Sequence, residues 1–535
     1  MSDANAEYWK SNRTVIRVAV LWLLLSNICV NSAPPAEGVL PENVQRALAA
    51  ISSAELKGDL SFLASDALEG RFTPSPGLEV AAEFIASKFR AAGLEPGGDQ
   101  DYFQTAEMVE RQTPVMMSGL TIFVGERTLG ANASEIAVEL AGRSMQLDHA
   151  PLLIFPSKDP AYIKGLDITG KAIAAMEGEV RGLTPSQFSE QQQRTLAFDE
   201  AVAHSGALAN LTILRKKQMF AAAKLSASTL LFEEAATVER VPFLSVGNEE
   251  LTSRLSEARS VVSATISIDI PATIDHKFAA KNVIGILRGS DPVLCKTAVL
   301  LTAHYDHIGT VETAASMSMH ASGDSQDRIY NGANDDGSGT VSVIEIARSL
   351  GKLLPRPKRS IIFMAFFGEE RGELGSQFYS RHPVFPLAQT VADLNLEQMG
   401  RTDSTEGPQV RTVTVTGLDY SDVTGFLARA GELAGVKLNR DPADSEAFFP
   451  RSDNAPLAEK GVPAHTLCVA LDYPDYHALG DEWKKIDYEN MAKVDRMVLL
   501  AVLNIADSLK APQWNAKNPK TGPFRAARAA TQAAH

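Results

Sequence analysis

The chain has 535 residues, 45% of them hydrophobic and 22% charged, with a formal net charge of −14 at pH 7. Its length calls for two or more domains, its composition is that of a globular protein, and its acidic balance argues against a nucleic-acid-binding surface. Three cysteines supply neither a disulfide framework nor a cysteine-ligated metal cluster, so any metal must be held by His, Asp and Glu.

In chain order, Lys10, Arg13 and Arg17 precede an apolar stretch over 18–30, followed by the small residues Ser32 and Ala33 and by Pro34 and Pro35. The apolar run is short for a bilayer span and suits a signal peptide, expected over 1–33; a short membrane anchor is the competing reading. Cys29 lacks the small residue that precedes a lipidated cysteine. The protein is therefore expected to be exported, periplasmic or extracellular, with no stable membrane insertion once the signal is removed.

Ordered structure is expected from about Ser52, as the first part of the main domain over 50–149. Val80, Phe84, Ile85 and Phe89 share a helical face, with Gly93 as the stop. Over 150–266 the character changes. Short apolar runs at 151–155, 171–175, 228–232 and 241–246 surround a helical stretch at 191–223, which reads as a small β-rich insert domain without catalytic groups. Its acid pair Glu233-Glu234 has no histidine motif beside it, and His204 stands alone.

The second part of the main domain spans 267–510. Strands are expected at 282–287, 297–302, 360–367, 391–396, 410–416 and 464–470, with a helix over 338–353. This alternation implies an α/β fold with a mixed, mostly parallel sheet sandwiched by helices. Such sheets bind ligands beyond the carboxyl ends of their strands. Cys468, in an apolar run, reads as a buried thiol, and residues 511–535 read as a mobile tail.

The chemistry-bearing residues fall at strand ends. Glu369 and Glu370 follow the apolar run 361–367 after one glycine, a poor place for two carboxylates unless a cation meets them. His304 ends a strand, and Asp306 can accept its other ring proton. Asp335 lies among Gly332, Gly337 and Gly339, where the backbone can turn tightly and two carboxylate oxygens can bridge two cations. Glu397 ends another strand, and His477 follows 472–476. Singly, each has a plainer reading, such as an ordinary turn at Asn334-Asp335-Asp336-Gly337. Together they suggest a two-metal hydrolase in which one glutamate coordinates while its neighbour moves a proton.

The ordered motifs Ala303-His-Tyr-Asp-His-Ile-Gly309, Gly332-Ala-Asn-Asp-Asp-Gly-Ser-Gly339, Phe367-Gly-Glu-Glu-Arg-Gly-Glu-Leu-Gly-Ser376, Asn395-Leu-Glu-Gln-Met-Gly-Arg401 and Arg451-Ser-Asp453 resemble those of the secreted co-catalytic dizinc aminopeptidases and glutamate carboxypeptidases. The likeness covers roughly 56–506, and the insert resembles the protease-associated domain found in many members. The resemblance implies a zinc-exopeptidase fold and two zinc ions, with other divalent metals as substitutes. Asp335 would bridge the ions, Glu370 and His477 complete one site, His304 and Glu397 the other, and Glu369 act as general base. It also implies a cis bond between Asp335 and Asp336, and a role for Tyr476 in steadying the oxyanion. Glu397 stands where many relatives carry Asp, and Asn454 where many carry a non-ligating His. His307, His320, His382 and His465 are not expected to be ligands, and the polar loop 311–328 either lines the cleft or is a solvated insertion.

The implied activity is removal of N-terminal residues from peptides through a metal-bridging hydroxide. The alternatives are a carboxypeptidase acting on acidic C-terminal residues, for which the sequence offers no assignable basic clamp, and a single-zinc glutaminyl cyclase, disfavoured by the full ligand set. A metal-free scaffold or receptor of the same fold belongs to a different class and is marked by lost ligands, which this chain retains.

Overall fold

The computed structural model describes residues 40–534 except 113–115, 117, 141–143, 180–181, 221–227, 237–240, 258, 272, 318–325, 406 and 440–441. The expected signal peptide and His320 lie outside the described residues. Residues up to Ala49 form one unit, described only through the helix Glu42–Ala50, and Ala50–His535 form the second. Among the described residues, no helix is long and apolar enough to cross a membrane.

The second unit is built on a large sheet whose main strands are β1 (Phe103–Gln112), β2 (Ser228–Phe232), β3 (Ile274–Leu287), β4 (Ala298–His304), β5 (Ser360–Phe366), β6 (Thr390–Leu396), β7 (Thr412–Val415) and β8 (Ala464–Cys468). The spatial order is β7-β8-β6-β4-β5-β3-β1-β2, with a short edge strand, Lys437–Leu438, outside β7. Every residue of β4, β5 and β6 is buried, as strands covered on both faces require. Side-chain alternation divides the core. Ile284, Leu300, Ile362 and Met364 point to one face, where Tyr379, Leu457 and Trp514 cover them. Phe363 points to the other, where its ring lies 6.4 Å from that of Phe89. Burying each such side chain stabilises the fold by roughly 1.5–3 kcal/mol.

Four helices cover the Phe89 face: α1 (Ser53–Leu63), α2 (Pro76–Ala91), α3 (Gly339–Leu350) and α4 (Tyr488–Asp507). In α2 the buried stripe is Leu78, Ala81, Ala82, Ile85, Ala86 and Phe89. Val80, expected on that face, is exposed, because the small alanines let the helix approach the sheet one position further round. Gly93 ends the turn after α2 with φ +75°, as expected.

Several expectations are corrected. Pairing is parallel among β4, β5, β6 and β8 and between β7 and the edge strand Lys437–Leu438, but antiparallel between β7 and β8 and through β3, β1 and β2, so the sheet is mixed rather than mostly parallel. Gln112 pairs with Ile274; the chain leaves and re-enters the sheet at the same end, which makes β1 and β3 an antiparallel pair. Between them lies a second, eight-stranded sheet running from Leu120 to Ile270. It therefore begins well before residue 150, and the run 228–232, expected inside it, is β2 of the main sheet. The helix expected at 191–223 is Pro185–Ala203, entered through a capping box at Thr184 and Gln187. The apolar Ala209–Ile213 that follows is a strand.

The segment expected as a mobile tail is folded. Trp514 is buried, its indole N–H donates to Gly461 O at 2.9 Å, and its ring stacks on Phe524 of helix α5 (Gly522–Ala533) at 4.9 Å. Two aromatic rings, not the average composition, decide the outcome. The loop 311–328 starts as a helix, Val311–Ser316, and Gly309–Thr310 pairs with Ile329–Tyr330 beyond it. Glu233 is ion-paired with Lys277, and Glu234 lies 3.8 Å from Arg381, so this acid pair is a charged surface feature. Cys295 and Cys468 are both free, and Cys468 is buried.

Candidate metal centre

The carboxyl ends of β4, β5 and β6 converge, and each carries a site residue one step inside or just beyond its end. His304 is the last residue of β4, Glu369 and Glu370 follow β5, and Glu397 follows β6. Asp335 comes from the turn Ala333–Ser338 ahead of α3, where the Asp335–Asp336 peptide bond is cis.

A web of hydrogen bonds fixes that turn. Asp481 accepts from the backbone N–H groups of Asn334 and Asp335 and from the Tyr473 hydroxyl. The Asp336 carboxylate accepts from the N–H groups of His304, Gly339 and Gln398, and Asn334 Oδ1 accepts from those of Gly400 and Arg401. The loops after β4 and β6 are thus tied to one turn by side chains that do not themselves face the centre.

The turn delivers Asp335 between two histidines. Asp335 Oδ1 lies 3.4 Å from His304 Nε2, and Oδ2 lies 3.1 Å from His477 Nε2. His477 Nε2 is also 3.3 Å from Glu370 Oε2. Separations near 3.3 Å are those of two ligands sharing an ion at about 2.0–2.1 Å. Among the described residues, two groups have the proximity a metal needs: His304, Asp335 and Glu397, and His307, Asp335 and Glu370. The second brings in His307, which was not expected near an ion. It is fully buried, with Nδ1 2.7 Å from Glu370 Oε1, and its ring lies edge-on to that of His477 at 5.9 Å. The structure therefore sets two imidazoles against Glu370.

Asp306 departs from its expected role. Its carboxylate is 3.6 Å from His304 Nδ1, beyond a good hydrogen bond, and its backbone carbonyl is nearer, at 3.3 Å. Asp306 Oδ1 instead accepts from the Glu369 N–H at 3.0 Å, so it holds the glutamate rather than the imidazole. Tyr476 stacks on His477 with ring centroids 4.0 Å apart and remains 38% exposed. Asn454 is buried, donating to Phe449 O and accepting from Thr466, and plays a packing role. His465 is held between Ser421 and Thr416, and His382 is at the surface.

The electrostatics separate the adjacent glutamates. Burial pushes the Glu369 carboxyl well above its ordinary range, with the Glu397 and Glu370 charges adding to it against the pull of His304. Burial and Asp335 also push Glu370 up, but the imidazoles of His477 and His307 outweigh them and bring it down to about 2. Burial raises Glu397 to about 7. Asp335 is held well below the usual carboxylate range, because hydrogen bonds from His304 and His477 overcome its burial.

The residues fit divalent ions. His304 Nε2 is buried without a hydrogen-bond partner, while the two-His, three-carboxylate set supplies nitrogen and oxygen donors of the kind zinc accepts. That orphaned nitrogen faces Asp335, and a cation between them would answer it.

Sequence reasoning missed Arg71. Its guanidinium, buried within the fold, donates to the carbonyls of Leu63, Tyr305, Asn331 and Gly332, lashing the His304 and Asp335 loops to the N-terminal part of the unit. Gly70 beside it, at φ +67°, has no room for a Cβ, which would meet Gly309 O and Tyr330 O at 2.4 Å. The signal was the string Glu69-Gly70-Arg71 ahead of a helix, but nothing local indicates what a lone arginine will reach.

Comparison with known proteins places this geometry. Residues 282–502 match the family model described as Peptidase family M28. The chain is 27% identical over 247 residues to Aminopeptidase YwaD of Bacillus subtilis, covering 45% of this chain and 48% of that protein. It is 28% identical over 179 residues to Probable glutamate carboxypeptidase VP8 of Zea mays, covering 30% and 24%. The chain thus spans about half the length, or less, of these curated relatives. Among solved structures, an aminopeptidase from Aneurinibacillus sp. strain AM-1 superposes with a TM-score of 0.54 at 18% identity, covering 88% of this chain and 100% of that one; this likeness concerns the fold.

Proposed function

From the match of residues 282–502 to the model of Peptidase family M28, we propose that this chain is a zinc-dependent exopeptidase that removes residues from the N-terminus of peptides. The observation that carries the reading is Asp335 set between His304 and His477, one oxygen toward each. Asp335 would bridge two zinc ions, His304 and Glu397 would complete one site, and Glu370 and His477 the other, with His307 against Glu370. Zinc bound there supplies Lewis acidity toward the scissile carbonyl and the attacking water.

The rest is the work of the chain's own residues. Glu369 and Glu370 are adjacent, yet their proton affinities are driven apart, and such divergence assigns roles. Glu370 stays a carboxylate and is suited to hold a cation. Glu369 readily holds a proton, so it takes one from the water and returns it to the leaving amine. Its N–H bond to Asp306 fixes the start of its side chain. The Tyr476 phenol, stacked on His477, is available to donate to the carbonyl oxygen as negative charge develops.

The eight-stranded second sheet is read as a protease-associated insert, and the basic and apolar pattern of the first 33 residues as an export signal. Free-amino and N-blocked forms of one peptide test the direction of attack. An aminopeptidase cleaves only the free form; equal cleavage of the blocked form from its C-terminal end would replace this reading with a carboxypeptidase.

A further inference from the structure

Beside Glu397 the structure has a cleft of about 260 Å³, lined by Gln398, Phe448, Arg451, Asp472 and Tyr476 among others. It opens directly from the metal centre, because Glu397 and Tyr476 belong to both. Its volume suits one substrate side chain or terminus. This inference rests on the exopeptidase reading and adds what the enzyme selects.

Several polar groups of the wall already hold hydrogen bonds. Thr466 donates to Asn454, Thr416 accepts from the Thr466 N–H, and Ser452 accepts from Asn395. Asp472 accepts from the Thr405 hydroxyl. Arg451 differs. It is exposed, it is the one cation in the cleft wall, and no carboxylate pairs with it among the described residues. Its guanidinium lies over the Phe448 ring, 4.9 Å from the centroid. Stacking of this kind orients the planar group while leaving its edge donors free for a forked bond to a carboxylate.

We propose that Arg451 is a specificity-determining residue whose guanidinium receives a carboxylate of the substrate in this cleft. Two sources share that chemistry: the side chain of an acidic N-terminal residue, and the terminal carboxylate or side chain of a C-terminal glutamate. The first goes with the aminopeptidase reading, the second with the carboxypeptidase alternative. Phe448 supplies an apolar wall for the methylenes of the acid, and Arg451 supplies the cationic donor.

The test uses the zinc-loaded full chain and the anilides of glutamate, glutamine and leucine, with N-blocked peptides ending in glutamate or glutamine as a second arm. Glutamate and glutamine are nearly isosteric, so their kcat/KM ratio isolates the charge. The wild type is expected to prefer glutamate to glutamine on the order of tenfold in one arm, the size of one solvent-accessible charge-assisted contact. Arg451→Leu brings that ratio to about one, while Arg451→Lys keeps part of it. The arm that shows the preference identifies the source. A wild-type ratio near one in both arms, or a ratio retained in Arg451→Leu, overturns the proposal. Absence of turnover on every substrate would instead refute the exopeptidase reading, so the two failures are distinguishable. Should Arg451→Leu fold poorly, the wild-type ratio and the Arg451→Lys variant still decide.

Discussion

Replacing Arg71 by methionine is a severe test of how the centre is supported. Methionine nearly matches the volume of the aliphatic stem but supplies no donor. The change strips the donor from four carbonyls: Tyr305 O at 2.8 Å, Leu63 O at 2.5 Å, Asn331 O at 2.7 Å and Gly332 O at 2.8 Å. Hydrogen bonds to a charged group contribute about 1.5–3 kcal/mol each, but such bonds are not additive and water refills part of the gap. Breaking a buried charged network typically costs about 3–5 kcal/mol, so a loss on the order of 4 kcal/mol is expected. Removing the cation also leaves Asp306, Asp481, Asp336 and Asp335 without the positive charge that faces them. Urea unfolding of the metal-free chain, followed by signals from the main-sheet unit, reads the stability term. Chelator competition reads zinc affinity, expected to fall about 10–100-fold, as when ligand-supporting groups are removed. A stability change under about 1 kcal/mol with unaltered zinc affinity would refute the claim that Arg71 carries these loops.

Three further outcomes are expected. Glu369→Gln should retain both zinc ions by elemental analysis yet lose about 10²–10⁴-fold in kcat on a cleaved peptide, the usual worth of a positioned proton carrier; near-wild-type turnover would remove Glu369 from that role. His465 is brought down to about 4 by burial. Its folded value lies below the ordinary 6.5, so the unfolded chain binds the proton first, and the stability it contributes above pH 6.5 is lost as pH falls toward 4. The full effect is on the order of 3 kcal/mol, and unfolding midpoints against pH should be flatter in His465→Asn across that window. Trp514→Ala should cost about 3–5 kcal/mol, because the indole is buried and bonded to Gly461; a stability within 1 kcal/mol of wild type would return residues 511–534 to the status of a loose tail.

Part of the candidate site was legible because His304, Glu369, Glu370 and Glu397 sit at or just beyond strand ends that patterning locates. The run before Glu369 is continuous and apolar, those before His304 and Glu397 are strand-like despite Thr302, Asp393 and Asn395, and each ends within a residue or two of a chemically marked side chain. Other features depend on long-range geometry. The antiparallel half of the sheet follows from where the insert leaves and returns, which the composition of β1 and β3 does not encode. His307 lies only three residues beyond His304, but its approach to Glu370 depends on how two loops fold over each other. Arg71 acts across more than two hundred residues of sequence, through carbonyl groups that no side-chain pattern announces. The tail was misread because average composition hid the pairing of Trp514 with Phe524.

The central claim is that Asp335 joins two cation sites. Anomalous scattering at the zinc edge from crystals grown with zinc tests it most directly. Two peaks are predicted, one between Asp335, His304 and Glu397 and one between Asp335, Glu370 and His477. A single peak, or zinc found only away from Asp335, would contradict it.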